Sequence, residues 1–189
     1  PNYAYQLIIF STKNKLLTQV DLALKGNYVT DVAMHYLQGK NQVYLAGFYS
    51  EQWGGSIRGS FTKTIDLQQG EVVGDKKKKF SAQFLELFLS KRKIRKLREG
   101  ESGDYELDNF RLDNFTVKKD GSAVLFAEEY FVQMNTSSMT DANGFVNTTT
   151  NYTYYYGDIL VMYMSANGEV QWTAKIPKNQ ISFNDGGPF

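Results

Sequence analysis

The chain has no cysteine, a single histidine and three prolines in 189 residues. Missing thiols exclude a disulfide framework, thiol catalysis and thiolate metal sites. One imidazole excludes a metal site built on a histidine pair. With so few prolines the turns must come from another residue, and sixteen glycines supply them. An excess of one charge is also missing: 21 Lys and Arg stand against 20 Asp and Glu, a formal net charge of +1. The chain as a whole therefore carries no electrostatic signal for nucleic acid or membrane. No apolar run approaches the roughly 20 residues that a membrane-spanning helix needs, and no basic, apolar, small-residue signal peptide opens the sequence. Because it begins at Pro1 without an initiator Met and runs almost at once into an apolar strand, the expectation is a longer precursor. A lost export signal would suit a periplasmic, cell-surface or secreted location. A glycine-rich phosphate loop ending in Lys-Ser/Thr is absent, as is the full Asp-x-Asp-x-Asp-Gly calcium loop, and no cofactor is expected.

What is present is aromatic and strand-forming. Thirteen Tyr, thirteen Phe and 42% apolar residues favour one domain of many strands joined by tight turns. One pattern recurs. Gly59-Ser60-Phe61 followed by Gly70-Glu71-Val72 matches Gly157-Asp158-Ile159 followed by Gly168-Glu169-Val170, with equal spacing between the glycines. Ser11, after Leu7-Ile8-Ile9-Phe10, lines up with Ser165, after Val161-Met162-Tyr163-Met164.

Alternation and turn signals place strands at 5–11, 16–22, 28–37, 42–50, 57–65 and 71–74. A second series runs over 107–118, 123–133, 154–165 and 169–176. Each series has a strand holding an Asp (Asp31, Asp113), a turn with Gly39 or Gly121, an Ala-centred strand (Ala46, Ala127) and the glycine-opened hairpin. Four short antiparallel strands per repeat is the signature of a propeller blade. The fold class expected is all-β with one helical insertion, built of four-stranded antiparallel propeller-blade repeats. Its parts are the outer hairpin of a preceding blade (1–22), a blade (28–74), a basic helical insertion (75–103), a second blade (104–177) and a polar linker to a further blade (178–189). About two and a half blades cannot close a ring of typically 4 to 8, so the remaining blades, from the same or another chain, are expected partners. Packing the two series into a two-sheet sandwich is the alternative.

The segments Tyr156-Gly157-Asp158-Ile159-Leu160-Val161 and Gly168-Glu169-Val170-Gln171-Trp172 resemble the blade hairpins of uncharacterised β-propeller repeat proteins common in Bacteroidetes. Ala127-Glu128-Glu129-Tyr130 and the closing Ile176-Pro177-Lys178-Asn179-Gln180 are similar to that group too. The resemblance covers most of the chain and implies a fold, with no catalytic residues.

Between the two series, Phe80, Phe84, Leu87, Phe88, Ile94 and Leu97 recur at mostly helical spacing, with Ser81 as N-cap and Glu99-Gly100-Glu101-Ser102-Gly103 as stop. One helix over 80–98 is expected, with Phe84 and Phe88 buried and Arg92 and Arg95 exposed. Residues 76–98 hold ten Lys or Arg against the single Glu86. Lys91, Arg92, Lys93, Arg95, Lys96 and Arg98 form a candidate surface for an anionic membrane or a phosphate backbone. The plainer reading is a solvated face on a helix that covers the rim of a blade.

Asp31 and His35, four apart on a strand, point to the same side of a sheet and form a candidate channel-facing pair. A lone His without a motif-placed nucleophile is weak support for catalysis. Asp108-Asn109 and Asp113-Asn114 are acid–amide pairs that suit a hard cation or, more simply, strand entries. Asp141-Ala142-Asn143-Gly144 reads as a turn. The Asn-, Thr- and Ser-rich stretch Met134 to Asn151, with glycosylation triplets at Asn135, Asn147 and Asn151, reads as a long exposed loop able to contact a partner. These readings favour a non-enzymatic binding or scaffolding segment acting on protein or carbohydrate. The alternatives are part of a propeller-type enzyme with its site at the channel, and electrostatic binding of nucleic acid or anionic membrane.

Overall fold

The computed structural model describes residues 5–10, 16–54, 56–99 and 105–184, with the backbone alone for 16–18. It is mostly β, 63% strand and 9% helix. Strands β1 (Gln6–Phe10) and β2 (Leu16–Asp21) form an antiparallel hairpin. Next comes a four-stranded antiparallel meander of β3 (Tyr28–Leu37), β4 (Gln42–Ser50), β5 (Gly59–Asp66) and β6 (Glu71–Lys79). Two short helices, α1 (Ala82–Leu85) and α2 (Lys91–Arg98), lead to a second meander of β7 (Phe110–Val117), β8 (Ala123–Thr140), β9 (Val146–Met164) and β10 (Val170–Ile176). A last strand, β11 (Gln180–Phe183), pairs with the first part of β9.

These elements stack as three layers. Val43, Leu45 and Ile65 on one face of the first sheet pack against Val20, Leu22 and Leu7 of the hairpin. Tyr44, Ala46 and Phe48 on its other face pack against Ala123, Leu125, Ala127, Leu160, Met162 and Met164 of the second sheet. Strand β4 is thus covered on both faces, and every residue from Val43 to Ser50 is buried. This is why its sequence is almost continuously apolar rather than alternating. The outer face of the second sheet, carrying Val124, Phe126, Ile159 and Tyr163, has no layer over it among the described residues. The described residues form no closed ring.

The expected glycine positions have matching tasks. A Cβ on Gly59 would run into the Lys78 carbonyl and then the Tyr49 ring, and one on Gly157 into the Glu129 carboxyl, so in both cases a side chain of the second strand occupies the space beside the glycine. Gly70 and Gly168 close the turns before the fourth strands at φ +71° and +82°, where a residue with a Cβ is strained. Each fourth strand then carries an unpaired extra residue, Val73 in β6 and Gln171 in β10.

Other expectations are corrected. Ala46 and Ala127 each lie opposite the third residue after the strand-opening glycine, Thr62 and Leu160, but Ala46 faces the second sheet while Ala127 faces back toward the first. Strand β6 runs on through Lys76 to Lys79. The single helix over 80–98 is two, because Ser90 starts a second one: its hydroxyl accepts from the Lys93 amide as that of Ser81 accepts from Phe84. An N-cap serine offers the backbone a local acceptor that competes with helix continuation. Phe84 is buried, whereas Phe88 is half-buried and Leu87 exposed. The stretch 134–151 is no loop but a β-ladder from Met134 opposite Tyr152 to Thr140 opposite Val146. Hydroxyl pairs Thr136–Thr150 and Ser138–Thr148 bridge it. Residues 180–183 of the expected linker are strand β11. Ser11 and the 100–103 stop lie outside the described residues.

Candidate functional site

Asp31 and His35 lie on the face of β3 that looks toward the second sheet, opposite Phe48 and Tyr44. Four residues of extended chain separate them by about 13 Å, beyond hydrogen-bond reach. The Asp31 carboxylate is otherwise engaged: Oδ1 accepts from the Val32 amide at 2.9 Å and Oδ2 from the Leu112 amide of β7 at 2.8 Å. It works as a fastener between sheets. Three further bonds cross the same seam. The Thr62 hydroxyl donates to the Gly168 carbonyl at 3.1 Å, Lys78 to the Val170 carbonyl at 3.1 Å, and Arg58 to the Tyr105 carbonyl at 2.8 Å.

The basic surface is largely engaged as well. Arg98 grips Glu86 with two bonds, at 2.9 and 2.6 Å, and these hold the Glu86 carboxyl below its usual range. Lys93 reaches Asp108 at 3.1 Å and Arg95 reaches Glu99 at 3.8 Å. On β6, Lys76 faces Glu169 at 3.6 Å, Lys77 lies over the Tyr49 ring and Lys79 meets Glu51 at 3.2 Å. Lys91 and Arg92 are exposed on the first turn of α2, and Lys96 is half-buried. The apolar side of this insertion is an aromatic chain, Phe48, Phe80, Phe84, Phe88 and Phe110, with centroid steps of 6.4, 4.4, 5.4 and 5.3 Å. It packs against the core that the two sheets share.

A groove of about 400 Å³ sits on the uncovered face of the second sheet. Strand β7 brings Arg111, Asp113 and Asn114 to it, β8 brings Phe126 and Glu128, β9 brings Tyr156 and Ile159, and Lys178 closes it from beyond β10. Glu128 is its electrostatic centre. Lys178 Nζ lies 2.6 Å from Glu128 Oε1 and Arg111 4.0 Å from Oε2, so a carboxylate with little water access is neutralised from both sides. The Arg111 guanidinium lies 4.4 Å from the Tyr130 ring centre and Lys178 5.4 Å from that of Tyr156, and the two rings are 5.3 Å apart. Cations held on aromatic faces in this way are oriented as well as charged. Asp113 stands at the β-bulge of β7, where the register shifts between Leu112 and Asn114. Asp31 borders the corresponding bulge of β3, where it shifts between Val29 and Asp31.

Of the acid–amide pairs, only Asp113-Asn114 belongs to this groove. Asp108 instead accepts from the Ser56 hydroxyl and meets Lys93, while Asn109 takes a left-handed φ of 62° and its carbonyl accepts from the Tyr130 amide at 2.8 Å. No group of three or more metal-ligating acids and histidines occurs among the described residues. Sequence reasoning missed Glu128, Arg111 and Lys178. The available signal was a Glu-Glu step inside an apolar strand: alternation sends Glu128 to the groove and Glu129 to the other face. There burial, and next the charge of Asp158, push the Glu129 carboxyl above its usual range.

Arg111, Glu128 and Lys178 pair with one another beside Phe126 and Ile159, which line the same groove. Compared with known protein families, with curated proteins and with solved structures, the chain matches none.

Proposed function

We propose that this chain is a non-enzymatic scaffolding and binding segment of a β-propeller protein, in which four-stranded sheets dock face to face and the outer face of the second sheet receives the next one. One observation carries the reading. The first sheet grips the second through a carboxylate beside a bulge on its first strand, Asp31 to the Leu112 amide, and the second sheet presents Asp113 at the bulge of its own first strand, over the groove. The layering supports the same reading. A two-sheet sandwich turns its outer faces to water, but here the hairpin β1–β2 already covers the outer face of the first sheet. The resemblance to propeller repeats points the same way, and the partners are further blades, of the same or another chain. The channel-enzyme reading is less well supported, because Asp31 is committed to backbone amides.

The absence of cysteine makes the test direct. A thiol introduced by Asn114→Cys is expected to react rapidly with a maleimide in the isolated chain. It should react at least about tenfold more slowly in the full natural protein that contains it, since a docked layer excludes the reagent. Equal rates in the two would remove the docking reading.

A further inference from the structure

Beyond Tyr130, strands β8 and β9 leave β7 and β10 behind as an arm, which β11 backs on its β9 side as far as Thr153 and which is two-stranded from Met134 onward. Its ladder runs to Thr140 opposite Val146, and its tip is closed by Asp141, whose carboxylate accepts from the Asn143 and Phe145 amides. Phe131 stacks on Tyr155 at 4.4 Å with the rings 9° from parallel. The arm is a formed ribbon rather than a loose loop.

On the β7 side, the last backbone partner of β8 is the Asn109 carbonyl, which takes the Tyr130 amide. From Phe131 to Thr140 that edge pairs with nothing among the described residues. An open strand edge is a template for another strand, and proteins normally block it with charge, proline or a bulge. The edge strand β6 follows that rule with Glu71, Asp75 and Lys76 to Lys79, and β7 carries Arg111 and Asp113. Between 131 and 156, the sole charged side chain is Asp141, and there is no proline. The β8 edge carries no such guard over 131–140.

Its sequence also suits its own copy. In an antiparallel pair opposite residues share a face, so a two-fold perpendicular to the ribbon must pass through a residue. Centred on Asn135, the pairing sets Phe131 against Met139, Gln133 against Ser137 and Met134 against Thr136, with no charge facing any residue of the segment. Centred on Thr136, it would set Phe131 against Asp141. Phe131 and Met139 are 40% and 76% exposed in the single chain, and the first register covers both.

We propose that residues 131–139 of β8 are a homotypic strand-pairing site. A second copy of this chain adds its own β8 antiparallel about a two-fold through Asn135, joining two arms into one continuous ribbon. This is a self-complementary, closed contact, and it uses none of the groove residues.

Sedimentation velocity on the purified chain tests it, from low to high micromolar concentration. A concentration-dependent dimer is expected. The double substitution Asn135→Lys with Ser137→Lys, which places like charges face to face across the two-fold, should weaken it about tenfold or more. Asn147→Lys with Thr149→Lys, adding the same charge to β9, should weaken it far less. In the unsubstituted chain, hydrogen exchange of the 131–139 amides should slow as the dimer fills, a reading independent of how the variants fold. A chain that stays monomeric throughout overturns the proposal, as does a dimer without that protection. A dimer indifferent to Asn135→Lys with Ser137→Lys but lost with Phe126→Asp would place the contact in the groove instead.

Discussion

Asp31 shows how much of the assembly rests on single side chains. One carboxylate accepts amides from two strands in different sheets, so its removal leaves half-buried donors unpaired, at about 1–3 kcal/mol. Asp31→Ala should lower stability by that amount in urea titration. It should also accelerate exchange of the Leu112 amide, which a loss of packing alone would not single out. Tyr44 makes the same point through protonation. Burial between the sheets raises its phenol from 10.0 to about 12, so the folded chain keeps a proton that the unfolded chain has lost. Stability from this group is full below about pH 10 and falls as the pH climbs toward 12. Denaturant midpoints at pH 9 and pH 11 should differ less in Tyr44→Phe than in the unsubstituted chain.

At the level of elements, the strands of both meanders were legible because turn glycines and apolar runs are local signals. Gly168 is one of them, and it is constrained twice. Its φ is +82°, and a Cβ there would sit 2.4 Å from the Thr62 hydroxyl, whereas Gly144, at φ +85°, has open space around it. Gly144→Ala should therefore cost only the left-handed penalty of about 1–2 kcal/mol, and Gly168→Ala distinctly more. Thermal midpoints of the two variants, measured side by side, check the order. The elements that were misread are those whose signals compete. The Phe80-to-Leu97 stripe continues through Ser90, and periodicity cannot show that a serine in the stripe will cap a new helix. The arm reads as loop because Asn, Thr and Ser are loop-like in composition, while its strand character comes from cross-strand partners distant in sequence. The groove was invisible for a related reason: Arg111, Glu128 and Lys178 meet only when three separate segments reach one face.

For the whole molecule, the core shared by Tyr44, Phe48, Phe84, Leu125 and Met162 ties the two sheets into one cooperative unit. The two tryptophans report on different sheets: Trp53 packs edge-on against Tyr28 at the first, and Trp172 stacks on Tyr163 of the second. Single-tryptophan variants Trp53→Phe and Trp172→Phe should give coincident unfolding midpoints. Separated transitions would mean that the sheets fold independently and that the seam contributes little.

The fastening at Asp31 has one more implication. What the carboxylate holds is a peptide N–H, which every residue except proline supplies. The joint therefore reads main chain and ignores side-chain identity. The Leu112 side chain packs separately against the shared core, so replacing it would cost that packing and leave the grip itself intact.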